Sequence, residues 1–213
     1  MPFDNNDYSE NGGYEVMKAK YQGYEAKKSG GFIELPPVGA YIGTILNVKV
    51  EPSYDKSHDQ IVLMLDITEG EYAGRFMEQY NDTKERFPET KYKGVLRITV
   101  PEETDGDDLA WIKTVFEGNL WAIEQSNPGY AWDWDEKKLK GKKVGFSIRE
   151  RYYTYDHKDR TAIEIGKLES IEEIKAGKVK PMKARDTRKK DDTEGGNSSS
   201  EGTDVTGSVE VPF

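Results

Sequence analysis

Alternation with a period of two dominates the middle of this 213-residue chain and limits it to a fold built mainly from half-buried strands. In AYIGTILNVKVE, residues Ile42, Leu46, Val48 and Val50 share one parity, and Tyr41, Asn47 and Lys49 share the other. QIVLMLDIT repeats the pattern with Ile61, Leu63, Leu65 and Ile67, and VLRITV sets Leu96, Ile98 and Val100 against Arg97. Later, KKVGFSIRERYYTY alternates through Val144, Phe146 and Ile148, DHKD predicts a hairpin turn, and TAIEIGKLESI returns. PSYDKSHD and EGEYAG predict turns, and RFMEQY reads as a strand continuation or a short edge strand.

One stretch breaks the rule. In LAWIKTVFEGNLWAIEQ, residues Leu109, Ile112, Val115, Phe116, Leu120 and Ile123 recur at helical spacing. Asp107 and Asp108 suit its start electrostatically, and Asn127-Pro128-Gly129 ends it. Five strands with a helix between the third and fourth is the element order of a five-stranded oligonucleotide/oligosaccharide-binding (OB) barrel. A small β-sandwich is the weaker alternative, because it more often lacks the helix. The fold class expected is therefore mainly β, a barrel with one helix. The folded unit is read as residues 32–175, after a flexible arm at 1–31. A basic linker at 176–190 and a disordered acidic tail at 191–213 follow it.

Composition narrows the chemistry. With no Cys, and only His58 and His157, disulfide frameworks, thiol nucleophiles and His-rich metal sites are not expected. No apolar run approaches the length of a membrane helix, and the first residues lack a signal peptide's pattern. The expectation is a cytoplasmic protein without a membrane partner. The net charge of −9 hides segregation: Lys175, Lys178, Lys180, Lys183, Arg185, Arg188, Lys189 and Lys190 face Asp186 alone, whereas every charge from Asp191 onward is acidic. Local fields, acting over roughly one Debye length of about 8–10 Å, therefore matter more than net charge.

Two segments interleave aromatic rings with cations, as a surface that stacks bases and follows phosphates requires. One holds Tyr80, Lys84, Arg86, Phe87, Lys91, Tyr92, Lys93 and Arg97. The other holds Arg149, Arg151, Tyr152, Tyr153, Tyr155, Lys158 and Arg160, on the hairpin between the last two strands. The plainer reading is that these residues merely solubilise exposed strand faces. Trp111 and Trp121 are read as core, Trp132 and Trp134 as packing at a barrel end, and His157 as a turn residue. The acids Asp55, Asp59, Asp66, Glu69, Glu71 and Glu78 would suit a metal-dependent nuclease. They scatter through turns without a supporting motif, so no enzyme, metal or cofactor is expected. The chain ends in Glu210-Val211-Pro212-Phe213, an apolar tip behind an acidic tether, which suits docking into a basic-rimmed pocket of a partner.

This layout resembles the single-stranded DNA-binding proteins of bacteriophages, with a tip like that of bacterial SSBs, Val replacing Ile before Pro-Phe. GAYIGTILNVKV, LDITEGEYAG and LKGKKVGFSIRERYYTYDHKDRTAIEIGKLESIEEIKAGK carry the likeness in the body of the chain. Only Glu210, with Asp204 further back, stands where the family has a run of acids. The resemblance implies a protein that coats and protects single-stranded DNA in phage replication, recombination or repair. It also implies recruitment of replication and recombination proteins through the tip, with self-association left open. An OB-like protein–protein adaptor is the alternative.

Overall fold

A computed structural model describes residues 33–188. The arm expected at 1–31, the acidic tail and the docking tip at Glu210–Phe213 lie outside the described residues. The long alternating runs form strands: β1 (Gly39–Pro52), β2 (Asp59–Ile67), β3 (Val95–Thr99), β4 (Lys143–Tyr155) and β5 (Lys158–Glu169). They lie side by side in the order β3-β2-β1-β4-β5, each pair antiparallel. A short β6 (Arg185–Asp186), inside the stretch expected to be a linker, adds to β4 in parallel. The fold is mainly β, as expected. A closed barrel is not what forms, because β3 and β5 stand at opposite ends of the strand order and share no ladder. Their Cα atoms nevertheless come within 8 Å of each other.

β1 holds the sheet together. Its first half, Gly39–Thr44, pairs with β4, and its stretch Gly43–Pro52 pairs with β2. A bulge at Leu46 separates Ile45, opposite Leu65, from Asn47, opposite Met64. An extra residue in a strand exchanges its two faces. Ile42 therefore does not share a face with Val48 and Val50, and the single parity expected along this strand is corrected. Tyr41, Gly43 and Ile45 face the core before the bulge, and Val48 faces it afterwards, opposite Leu63. Val50, beyond it, is exposed. Gly43 lies where both neighbouring strands meet β1, opposite Ile67 and Val144. A Cβ there would sit 2.1 Å from the Asp66 carbonyl oxygen and 2.7 Å from a ring carbon of Phe146.

RFMEQY is not an edge strand but the start of α1 (Arg75–Arg86). Six residues cannot distinguish the two periods, and the deciding interaction is remote. The buried carboxylate of Asp66 accepts hydrogen bonds from the backbone N–H groups of Phe76 (3.2 Å) and Met77 (3.1 Å), and from Ile67 (2.8 Å). It satisfies donors that the first turn leaves unpaired, a task for which the N-cap residue Gly74 has no side chain. Phe76 and Tyr80, four apart, then drop into the core.

α2 (Leu109–Ser126) packs against β3, β4 and β5 with Ile112, Phe116, Leu120 and Ile123 inward. Asn119, also buried, donates to the Val115 carbonyl (2.7 Å) and accepts from the Leu168 N–H (2.8 Å), tying α2 to β5. Trp111 and Trp121 are not core: they are 68 % and 47 % exposed. Each sits one helical step, about 100°, from a buried neighbour and so off the inward stripe. α3 (Ile171–Lys175) is capped by Ser170, whose hydroxyl accepts from Glu173 N–H at 3.1 Å, and Ile174 lies over Gly145.

Gly43→Ala is expected to lower the unfolding free energy by about 1–3 kcal/mol through overpacking against fixed backbone. Asp66→Ala should cost about 1–2 kcal/mol through loss of the cap. Chemical denaturation measures both, and unchanged midpoints would contradict the roles given to these residues.

Candidate nucleic-acid interface

Pairing of β4 with β1 ends at Ile148. From Arg149 onward β4 pairs with β5 on one side, and with the two residues of β6 on the other. The result is a two-stranded arm. Its turn is Asp156-His157, both left-handed at φ 51° and 54°, the backbone of a two-residue hairpin turn that follows the strands' twist. His157 is thus a turn residue, as expected. The register Tyr155↔Lys158, Tyr153↔Arg160, Arg151↔Ala162 and Arg149↔Glu164 puts all these residues on one face, since directly opposed residues of an antiparallel pair point the same way. Tyr152 and Glu150 fall on the other face.

The first face is cationic and organised by one acid. Glu164 Oε1 accepts from Arg149 Nε (2.8 Å) and Nη2 (2.7 Å), and it lies 3.9 Å from Arg185 of β6. Its other oxygen is 3.8 Å from Arg151 Nη1. The Arg151 guanidinium also lies over the Tyr153 ring, 4.9 Å from its centre. Arg160, Lys158 and Tyr155 extend the face to the tip, all exposed. The bulge at Gly166 leaves room for Met182, whose sulfur would be 2.6 Å from a Cβ there, so the chain leading to β6 is seated on this face.

The opposite face differs in kind. Tyr152 donates its hydroxyl to Glu150 at 2.5 Å, and that bond to a carboxylate pushes the phenol above its ordinary value. Arg188 lies over the Tyr152 ring at 5.4 Å while pairing with Asp186 (2.5 Å) and Asp159 (3.4 Å). Tyr152 is therefore separated from the other six ring and cation positions expected on its strand and partner.

The other predicted segment is dispersed. Tyr80 and Tyr92 are core residues, each 6 % exposed, meeting edge to face at 5.6 Å. Tyr92 donates to the Leu65 carbonyl at 2.8 Å, and burial raises its pKa. Neither ring is available to a base. Lys84 donates to the Tyr80 hydroxyl (2.9 Å), and Arg86 pairs with Asp82 (2.7 Å) along α1. Phe87, just past α1, is exposed, as is Lys93, while Lys91 is half-buried. Arg97 projects from β3 on the side away from Leu96 and Ile98, 3.6 Å from Glu51. Glu164 and Arg185 are missing from the predicted set. The signal for Glu164 was present: a two-residue turn at Asp156-His157 fixes Tyr155 opposite Lys158, and counting back places Glu164 opposite Arg149.

Two of the acids that would suit a nuclease, Asp66 and Asp55, serve the fold locally. Asp66 caps α1, with burial pushing it above the usual carboxylate range. Asp55 accepts from Ser53 (2.6 Å) and Ser57 (2.8 Å), which lower it to about 2. Among the described residues, no group of three acids or histidines could hold a metal ion. The β1–β2 turn is fastened instead: His58 Nδ1 meets the Ser57 hydroxyl (2.8 Å), and Nε2 meets Asp105 at 2.5 Å in the turn preceding α2. A scan against protein-family models finds no match for the chain, and a search of curated proteins finds no relative.

Asp105 is held below the usual carboxylate range, first by the backbone N–H of Glu102 and then by His58. A depressed folded-state pKa adds stability above the unfolded value of about 3.9, and that stability drains away as pH falls through the lower folded value. The melting-temperature gap between wild type and Asp105→Asn should be widest above the unfolded value and shrink steadily as pH falls below it. A gap independent of pH, measured by scanning calorimetry, would contradict this.

Proposed function

We propose that the chain binds single-stranded DNA without strong sequence preference, coating and protecting it, and that the β4–β5 arm is the gripping surface. The observation that carries this is the single face on which Arg149, Arg151, Tyr153, Tyr155, Lys158 and Arg160 assemble, joined by Arg185. The exposed Tyr155 and the half-buried Tyr153 on that face offer stacking worth roughly 1–3 kcal/mol per base, and guanidinium groups suit the phosphates between bases.

The fold supports the reading. A partly open OB barrel also pairs its first strand with the second and fourth, carries a helix between the third and fourth, and brings the third and fifth together. The order β3-β2-β1-β4-β5, α2 between β3 and β4, and the approach of β3 to β5 agree with that plan. In such a barrel the loop between the last two strands flanks the ligand. The cationic face belongs to that element here. Recruitment of replication and recombination proteins through Glu210–Phe213 belongs to the same proposal and draws on sequence alone.

Titration with oligo-dT should quench the intrinsic aromatic fluorescence, with log K falling against log salt at about −0.7 per phosphate neutralised. Tyr153→Ala should weaken binding by roughly 5- to 100-fold, the equivalent of one lost stacked base. Glu164→Gln should strengthen binding and steepen the salt dependence, since it removes the acid that Arg149, Arg151 and Arg185 share. Absence of quenching at low salt would overturn the proposal and leave the adaptor reading.

A further inference from the structure

α2 and the chain on either side of it enclose an open groove of about 520 Å³ with aromatic walls and an acidic rim. Phe116 and Leu120, both buried in α2, form its base. Trp134 stacks on Phe116 with ring centres 5.8 Å apart and planes at 22°, and Trp132 leans against Trp134 at 6.0 Å. The backbone N–H of Trp132 donates to Glu124 Oε1 at 2.7 Å, which pins this segment to α2. Trp134 is held at φ 67°, a left-handed conformation that costs a non-glycine residue roughly 1–2 kcal/mol. Despite that, Trp134 stays 67 % exposed. Trp132 packs against the core, as a packing residue should, whereas Trp134 is exposed, and both line the groove with Trp121.

Two features define what would enter. The rim carries Glu102, Glu103, Glu117 and Glu124 against Lys113 alone, a field that repels phosphates and attracts cations. Tryptophan faces are the strongest side-chain partners for a cation, and a guanidinium can lie flat on them while its edge meets carboxylates. The chain makes such a contact elsewhere, with Lys142 4.3 Å from the centre of the Tyr130 ring. The chain's own Arg185 and Arg188 are engaged beside β4, with Glu164, Asp159 and Asp186.

We propose that this groove seats an arginine or lysine side chain from a basic segment of a partner protein. The site is separate from the cationic face of the arm, and the proposal stands whether or not that face binds DNA.

The test uses the full chain, labelled with nitrogen-15, and its four indole N–H resonances assigned by single Trp→Phe substitutions. The titrant is the peptide Gly-Gly-Arg-Gly-Arg-Gly-Gly, compared with versions carrying Glu or Leu in place of Arg. The arginine peptide should move the Trp121, Trp132 and Trp134 signals saturably and leave Trp111, which does not line the groove, in place. Trp134→Ala should weaken the response by about tenfold. The double variant Glu103→Gln, Glu117→Gln, altered only at exposed positions, should weaken it several-fold with the melting temperature preserved. No movement at millimolar peptide overturns the proposal. So does an equal response to the leucine or glutamate peptide, or movement of the same three signals by oligo-dT.

Discussion

Close backbone contact at Gly43 allows one strand to serve two partners. Among the described residues β1 is the one strand that ladders with both the β2–β3 half of the sheet and the β4–β5 half, and both neighbours meet it at this residue. A side chain there would push Phe146 and the Asp66 backbone outward together. Those groups are structural hubs themselves. Phe146 packs against Phe76 and Tyr41, and Asp66 caps α1. The bulge two residues beyond Thr44 then reverses the strand's facing, so that β1 presents apolar side chains to a core that curves around it.

The charge pattern shows why net charge is a poor guide to partners. The chain is acidic overall, yet opposite signs are gathered on different surfaces. Glu164 illustrates the economy of this arrangement. Partly exposed ion pairs contribute little to stability, typically about 0–1 kcal/mol. Its main effect is orientation: by touching Arg149 and Arg151 of β4 and Arg185 of β6 it holds three guanidinium groups within a few ångströms, where mutual repulsion would otherwise spread them. The groove beside α2 is the converse, with carboxylates around rings.

How much of this was legible depended on the range of the deciding interaction. Strands β2, β3, β4 and β5 and the helix α2 follow from apolar periodicity, although β2 and the root of β4 turn out buried on both faces. α1 did not, because its N-terminus is satisfied by Asp66, nine residues before its first helical residue, and six residues of alternation fit either period. The bulge at Leu46 was invisible because a one-residue slip leaves no compositional mark. Aromatic residues misled in both directions. Tyr80 and Tyr92 look like surface rings beside lysines and are core, while Trp111 and Trp121 look like core and are exposed. Ring type alone does not set depth; the stripe or strand face on which a ring falls does. The cationic face was half legible: its members were found, but their division between two faces, and the acid among them, needed the register.

The arm has a mechanical consequence. Near Phe146 the β4 ladder is flanked by β1, and the core lies beneath it. Past Arg151 and Tyr152, where β6 stops, only the β5 ladder remains among the described residues, and nearly every side chain is wet. Amide protection should therefore fade steadily from root to tip, and opening the last few rungs need not disturb the interior. Rigidity is concentrated where β1, β4 and β5 are zipped together, and compliance where the tyrosines and arginines reach outward. The surface best placed to touch another molecule is also the cheapest to bend around it.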